Sequence, residues 1–312
     1  MTTAPEITPE TVTSPTGTGL SVRWSDVERP RAVLLLQHGM AEHGGRYVRF
    51  QRALAEAGYA SVVHDHRGHG ETAGRGPLGV FGPEGWDGVM TDAMAVADAA
   101  RERYPDAPLV LFGHSMGGIV ALTLALAHPT PFAATAIWNV DPTAGVERHA
   151  LRALLKIERF RRGSDVPSVV ARKLSFDAWN RRFAPNRTGF DWLSRDDAEV
   201  DAYVADPLAG HGVSVGMWLA VLDGMEKAGD DAALARLPKD MPFHWLGGDA
   251  DPATGGGKGV RAGAERLRAA GLADVTCEIL PNTRHEALNE VNRDTTTRAF
   301  IRWLDERFSV TA

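Results

Sequence analysis

The chain has 312 residues, 44% hydrophobic and 24% charged, enough for one large folded domain with an insertion or for two small domains. A formal net charge of -6 argues against a nucleic-acid partner, because duplex binding needs a basic face. The single cysteine, Cys277, excludes an intramolecular disulfide and a cysteine-rich metal site. The first residues lack the basic and then apolar pattern of a secretory leader, and no stretch reaches the length of a membrane span, so a cytoplasmic protein is expected.

Residues 1–19 are rich in threonine and proline and poor in large apolar groups, a composition that predicts a mobile tail. Leu20-Ser21-Val22-Arg23-Trp24 reads as an edge strand and Arg31 to Gln37 as a central one, ending at His38-Gly39. A helix from about Tyr47 to Ala57 follows, with Gly58 as its stop, then a strand over Ala60 to His64. Glycine- and proline-rich loops lead to a helix from about Asp87 to Arg103. Leu109 to Phe112 is a buried strand, Ile119 to Ala127 a buried helix, and Phe132 to Trp138 another strand.

From Asp141 to about Asp206 there is no strand signal, only helical segments broken at Gly163, Pro167, Pro185 and Gly189. Regularity resumes with a helix over Val215 to Ala228, a strand over Pro242 to Leu246 and a helix over Lys258 to Ala270. A strand over Val275 to Leu280, with Cys277 as a buried inert thiol, and a helix over Arg293 to Phe308 complete the chain. Strands alternating with helices predict an α/β fold with a mostly parallel sheet covered on both faces. The core is expected over 20–140 and 207–312, with 141–206 as a helical lid over the carboxyl ends of the strands.

Between the buried strand and the buried helix lies Gly113-His114-Ser115-Met116-Gly117-Gly118. A G-x-S-x-G pentapeptide in that context is a nucleophile elbow, with the serine hydroxyl at a helix N-terminus. Attack by Ser115 needs a base, an orienting acid and an oxyanion hole. His285 follows the last strand and is the expected base. The acid is Asp251, with Asp249 beside it, or Asp141, which precedes a proline at the start of the insertion; Asp251 is favoured. The backbone N–H groups of Met116, after the nucleophile, and Met40, after His38-Gly39, are the expected oxyanion donors.

His38 to Tyr47, Asp65-His66-Arg67-Gly68-His69-Gly70 and the elbow, in that order, resemble the monoacylglycerol lipase/lysophospholipase branch of the α/β-hydrolase superfamily. The match runs on through the Asp251 and His285 segments and is weakest across 141–206. The resemblance implies an α/β-hydrolase fold and a serine carboxylic-ester hydrolase acting on monoacylglycerols or lysophospholipids, without a cofactor. It also implies that Glu42, Arg46 and His114 lie near the polar head of the substrate and that the 65–70 loop is structural.

Two rival chemistries follow from other residues. His64, His66 and His69 have ligand-like spacing and suggest a metal hydrolase, which would leave Ser115 and His285 unused. An aminopeptidase-like amide hydrolase of the same fold would need an acidic group to hold the substrate amine, and Asp196, Asp197 and Glu199 are available. Phe176, Trp179, Phe183, Phe190, Trp192 and Trp218 divide between core and acyl-pocket walls. Basic residues dominate 148–187 and acidic ones 191–206. Either the halves pair with each other or the basic half makes a peripheral contact with anionic lipid surfaces. No obligate protein partner is expected.

Overall fold

The apolar runs of the sequence lie side by side in one sheet because each is buried on both faces. In the computed structural model, which describes residues 7–74, 76–142 and 145–308, eight strands form this sheet. They are β1 (Pro9–Thr13), β2 (Gly19–Ser25), β3 (Val33–Gln37), β4 (Ala60–His64), β5 (Leu109–His114), β6 (Phe132–Trp138), β7 (Phe243–Gly248) and β8 (Val275–Leu280). Their spatial order is β1-β2-β4-β3-β5-β6-β7-β8. The first two run antiparallel to their neighbours, and the rest are parallel.

Eleven α-helices follow in chain order among the described residues: α1 (Val48–Glu56), α2 (Gly85–Arg103), α3 (Met116–Ala127), α4 (Val146–Arg162), α5 (Val169–Leu174), α6 (Phe176–Asn180), α7 (Asp197–Ala205), α8 (Val215–Ala228), α9 (Asp231–Ala235), α10 (Lys258–Ala269) and α11 (Arg293–Asp305). Strand side chains alternate between two cores. Val33 and Leu35 of β3 join the side covered by α2, α3, α8 and α10. Leu34 and Leu36 join the side where Phe50 and Leu54 of α1 meet Phe300 and Trp303 of α11. Helix α3 is apolar all round and buried from Met116 to Leu126, as a helix wedged between sheet and outer helices must be.

Two readings of the N-terminal region change. Residues 9–13, expected in a mobile tail, form β1, and β2 is therefore not the edge strand. Strand β1 is nearly all exposed and is held by its backbone ladder to β2, with Pro9 opposite Arg23 and Thr13 opposite Gly19. Threonine and valine suit such a ladder, but without a buried face they leave no hydrophobic signature. The first six residues of the expected tail lie outside the described residues. At the opposite edge, Cys277 is half-buried rather than buried, because β8 has a neighbour on one side only.

Between β6 and β7 the chain forms helices α4 to α7, and this segment touches the loops that follow β3 and β8. Tyr203 of α7 donates to the Ala41 carbonyl at 2.8 Å, just past β3, and Glu286, past β8, donates its N–H to Leu193 O at 2.8 Å.

Backbone packs closely against backbone where α3 meets the strand ends. A Cβ on Gly117 would overlap the Gln37 carbonyl, and one on Gly113 would overlap the Gly117 carbonyl. Gly117→Ala should therefore cost about 3 kcal/mol of stability, read as a fall in urea midpoint. Gly189→Ala, where a Cβ meets nothing within 4 Å, should change stability by less than about 0.5 kcal/mol.

Candidate active site

Ser115 joins β5 to α3 with φ 54° and ψ -121°, a conformation that costs a residue with a side chain and persists only where packing enforces it. Its N–H is held by the Trp138 carbonyl at 2.9 Å, and its carbonyl accepts from Gly118 N at 2.8 Å. The hydroxyl is thereby aimed away from the sheet, at His285 Nε2, 2.9 Å distant. His285 Nδ1 lies 3.0 and 3.1 Å from the two carboxylate oxygens of Asp251. Three loops, after β5, β7 and β8, thus supply one hydrogen-bonded chain.

Asp251 is fully buried and also accepts from Ala253 N at 2.9 Å and from Asn139 Nδ2 at 3.2 Å. Burial pushes its carboxyl up, but His285 and these hydrogen bonds outweigh it, and the pKa falls below its ordinary value. Asp141 instead lies against Gly259 at the start of α10. Asn139 was not singled out from the sequence. Its signal is an asparagine at a strand end, which here takes φ 54°.

The loop after β3 runs beside the nucleophile. A Cβ on Gly39 would stand 3.4 Å from Ser115 Cβ. His38 pins this loop: its Nδ1 donates to Gly39 O at 2.7 Å, so Nε2 carries the lone pair that accepts from His66 N at 2.9 Å. The N–H groups of Met40 and Met116 have no acceptor among the described residues.

Glu42, Arg46 and His114, expected near the substrate head, are brought together, but mainly with each other. Glu42 accepts from Gly39 N at 2.5 Å, Tyr47 Oη at 2.9 Å and Arg46 at 2.6 Å. Arg46 makes a two-pronged pair with Glu286, both contacts 2.7 Å, and its guanidinium lies 4.8 Å from the centre of the Tyr203 ring. Burial would raise the Glu42 carboxyl, yet His114 and Arg46 hold it well below the carboxylate range. Burial would likewise lower Arg46, yet Glu286 and Glu42 raise it well above its ordinary value. Glu286, next to His285, was missed in the sequence because loop carboxylates are common.

Insertion residues complete the surroundings. The ring of Trp192 is centred 4.8 Å from that of His285, and Trp179 lies 4.9 Å from Trp192. Phe176 stacks on Trp192 at 5.5 Å and touches Trp218 at 5.6 Å. Aromatics that the sequence divided between core and pocket walls thus form one block over the histidine. Arg284 ties it down, donating to Asp191 O at 2.5 Å and Ser194 O at 2.9 Å. Four acidic residues of the insertion pair with arginines, Asp196 with Arg293, Glu199 with Arg49, and Asp197 and Asp201 with Arg187, while Asp206 pairs with His43.

Residues 28–292 match the family model described as serine aminopeptidase, S33. The chain belongs to that family. Among curated relatives, the rat monoglyceride lipase is 28% identical over 229 residues, covering 73% of this chain and 68% of its own. The monoacylglycerol lipase of Mycolicibacterium smegmatis is 28% identical over 275 residues, covering 86% and 85%. Among solved structures, a thermostable carboxyl esterase from Bacillus coagulans in complex with glycerol superposes with a TM-score of 0.89 at 24% identity, covering 97% of this chain and 99% of its own. This S33-family member has the α/β-hydrolase fold.

The histidine cluster has a different character from the Ser115 site. His38, His64, His66 and His69 are buried, with ring centres 4.2 Å apart for His38 and His66 and 4.6 Å for His64 and His66. Among the described residues, no group of three or more His, Cys, Asp or Glu is arranged to hold a metal ion. The 65–70 loop braces strand ends: Asp65 accepts from Gly44 N at 2.7 Å and Glu71 N at 2.8 Å, and Arg67 makes a two-pronged pair with Asp92.

Burial lowers the pKa of all four imidazoles, that of His64 to about 4 and that of His69 to about 3. The unfolded chain then takes up protons first. Stability is full above pH 6.5 and is lost as pH falls towards the folded-state values. The urea midpoint of this hydrolase should therefore fall between pH 6.5 and 4.5, before most carboxylates titrate. In His64→Leu the fall from pH 7 to 5 should be smaller by about 2 kcal/mol.

Proposed function

We propose that this protein is a serine hydrolase of lipid esters in which Ser115 attacks the ester carbonyl, His285 takes its proton and Asp251 orients the imidazole. The observation that carries this reading is the continuous hydrogen-bonded chain Ser115–His285–Asp251 at the end of a strained strand–helix turn. The oxyanion of the tetrahedral intermediate is held by the N–H groups of Met40 and Met116, each donor supplying ~3 kcal/mol in the transition state. His285 then protonates the leaving alcohol, and water, activated by the same base, cleaves the acyl-enzyme.

Monoacylglycerols and lysophospholipids are the substrates that agree best with the surroundings, because aromatic walls stand above a polar floor. The names of the relatives, monoglyceride lipase and monoacylglycerol lipase, point the same way. Amide cleavage is the weaker reading despite the family's name, since Asp196, Asp197 and Glu199 are already paired with arginines.

Segment 141–206 acts in this reading as a lid that meets the lipid surface. Leu154, Ile157, Phe160, Val169 and Leu174 of α4 and α5 are exposed, Phe160 at 92%. Lys156, Arg159, Arg161 and Lys173 stand among them with no carboxylate partner among the described residues. An apolar ridge set in positive charge has the chemistry of an interfacial helix on anionic lipid.

Ser115→Ala should abolish p-nitrophenyl ester turnover and labelling by a fluorophosphonate; unchanged turnover refutes the proposal. Asp251→Asn should lower kcat by about 10⁴ through the wrong imidazole tautomer, with Asp141→Asn within about tenfold of wild type. Hydrolysis of p-nitrophenyl esters from short to long acyl, of monoacylglycerol and of lysophosphatidylcholine then identifies the substrate. At low salt the protein should sediment with phosphatidylglycerol vesicles more than with phosphatidylcholine vesicles, and Phe160→Asp should weaken this about tenfold. Equal partitioning to the two would remove the lipid contact.

A further inference from the structure

His114 is the residue before the nucleophile, and its ring is buried between two groups that can only accept. Nδ1 faces Glu42 Oε1 at 3.3 Å, and Nε2 faces the backbone carbonyl of His285 at 3.0 Å. A neutral imidazole has one N–H and one lone pair, so in this position it would turn a lone pair on a carboxylate or a carbonyl. Only the doubly protonated ring satisfies both.

Charge balance leads to the same state independently. The buried cluster holds two carboxylates, Glu42 and Glu286, and one guanidinium, Arg46, with the Tyr47 hydroxyl and the Tyr203 ring against them. A buried excess of one negative charge is costly, and a charged His114 beside Glu42 removes it. Burial would lower the pKa of the ring, but Glu42 and Glu286 outweigh it and raise it above the ordinary value.

We infer that His114 is held as an imidazolium and is a positioning residue for the base, pinning the His285 carbonyl and placing a fixed positive charge beside the His285 ring. The two rings are centred 5.0 Å apart. On its other side His285 has the Asp251 carboxylate. The ring of the base thus lies between a carboxylate and a fixed positive charge, so loss of the His114 charge changes the field at His285. Glu42, Arg46 and Glu286 thus act on the base through His114, instead of serving only as contacts to a substrate head.

The inference rests on the reading of His285 as the general base, and two measurements separate them. In wild-type protein with ¹⁵N-labelled histidine, both ring nitrogens of His114 should carry protons at pH 7.5, seen as two directly bonded N–H groups. A non-protonated His114 nitrogen at that pH overturns the proposal whatever the enzyme does. His114→Gln keeps a donor for the His285 carbonyl and removes the charge. Its acid limb in kcat/KM for p-nitrophenyl butyrate should rise by about one pH unit. A merely structural role would lower kcat and leave the limb in place, and that result overturns the electrostatic coupling. Turnover retained in Ser115→Ala would instead sink the hydrolase reading, while the nitrogen spectrum of His114 would still decide its charge.

Discussion

The close approach of α3 to the ends of β3 and β5 is the constraint on which the site depends. Gly113 and Gly117 let backbone touch backbone there, and the contact holds Ser115 in a conformation that an isolated turn would abandon. The same contact brings the loop after β3 against the nucleophile, so the N–H of Met40 and that of Met116 belong to one packed unit. Strain at Ser115 is sustained by the burial of α3 along almost its whole length.

A second layer of order comes from charge. His285 sits on a loop, and loops are mobile unless tied. Here Arg284 reaches two carbonyls of the insertion, Glu290 binds Arg195, and Glu286 binds Arg46. Each pair is wholly or partly buried and so is screened less than a surface pair. The segment 191–195 is therefore a fixed wall of the site. The basic and acidic halves of the insertion, which composition could not arrange, divide their roles: the acids meet arginines, while basic residues of α4 and α5 surround an exposed apolar ridge.

The histidines illustrate how one residue type takes opposite roles by environment. His38, His64, His66 and His69 are buried without an anion close enough to outweigh desolvation, and their pKa values fall. His114, equally buried, faces Glu42, and its pKa rises. Acid should thus destabilise the first group while favouring the charged form of the second.

By itself the sequence determined the α/β alternation, the elbow around Ser115 and a histidine after the last strand, because these rest on periodicity and on glycine at fixed spacing. It also placed α8, α10 and β8 to within a residue. It could not see β1, whose stability is a backbone ladder without an apolar face, nor that β8 is an edge that leaves Cys277 half-exposed. The partners of Glu42, Arg46 and His114 needed the tertiary structure, since a polar side chain in a loop carries no mark of what it will meet. Glu286 and Arg46 are 240 residues apart in the chain. Only the sheet order brings the loops after β3, β5, β7 and β8 to one end, and there the burial of a charge decides its partner.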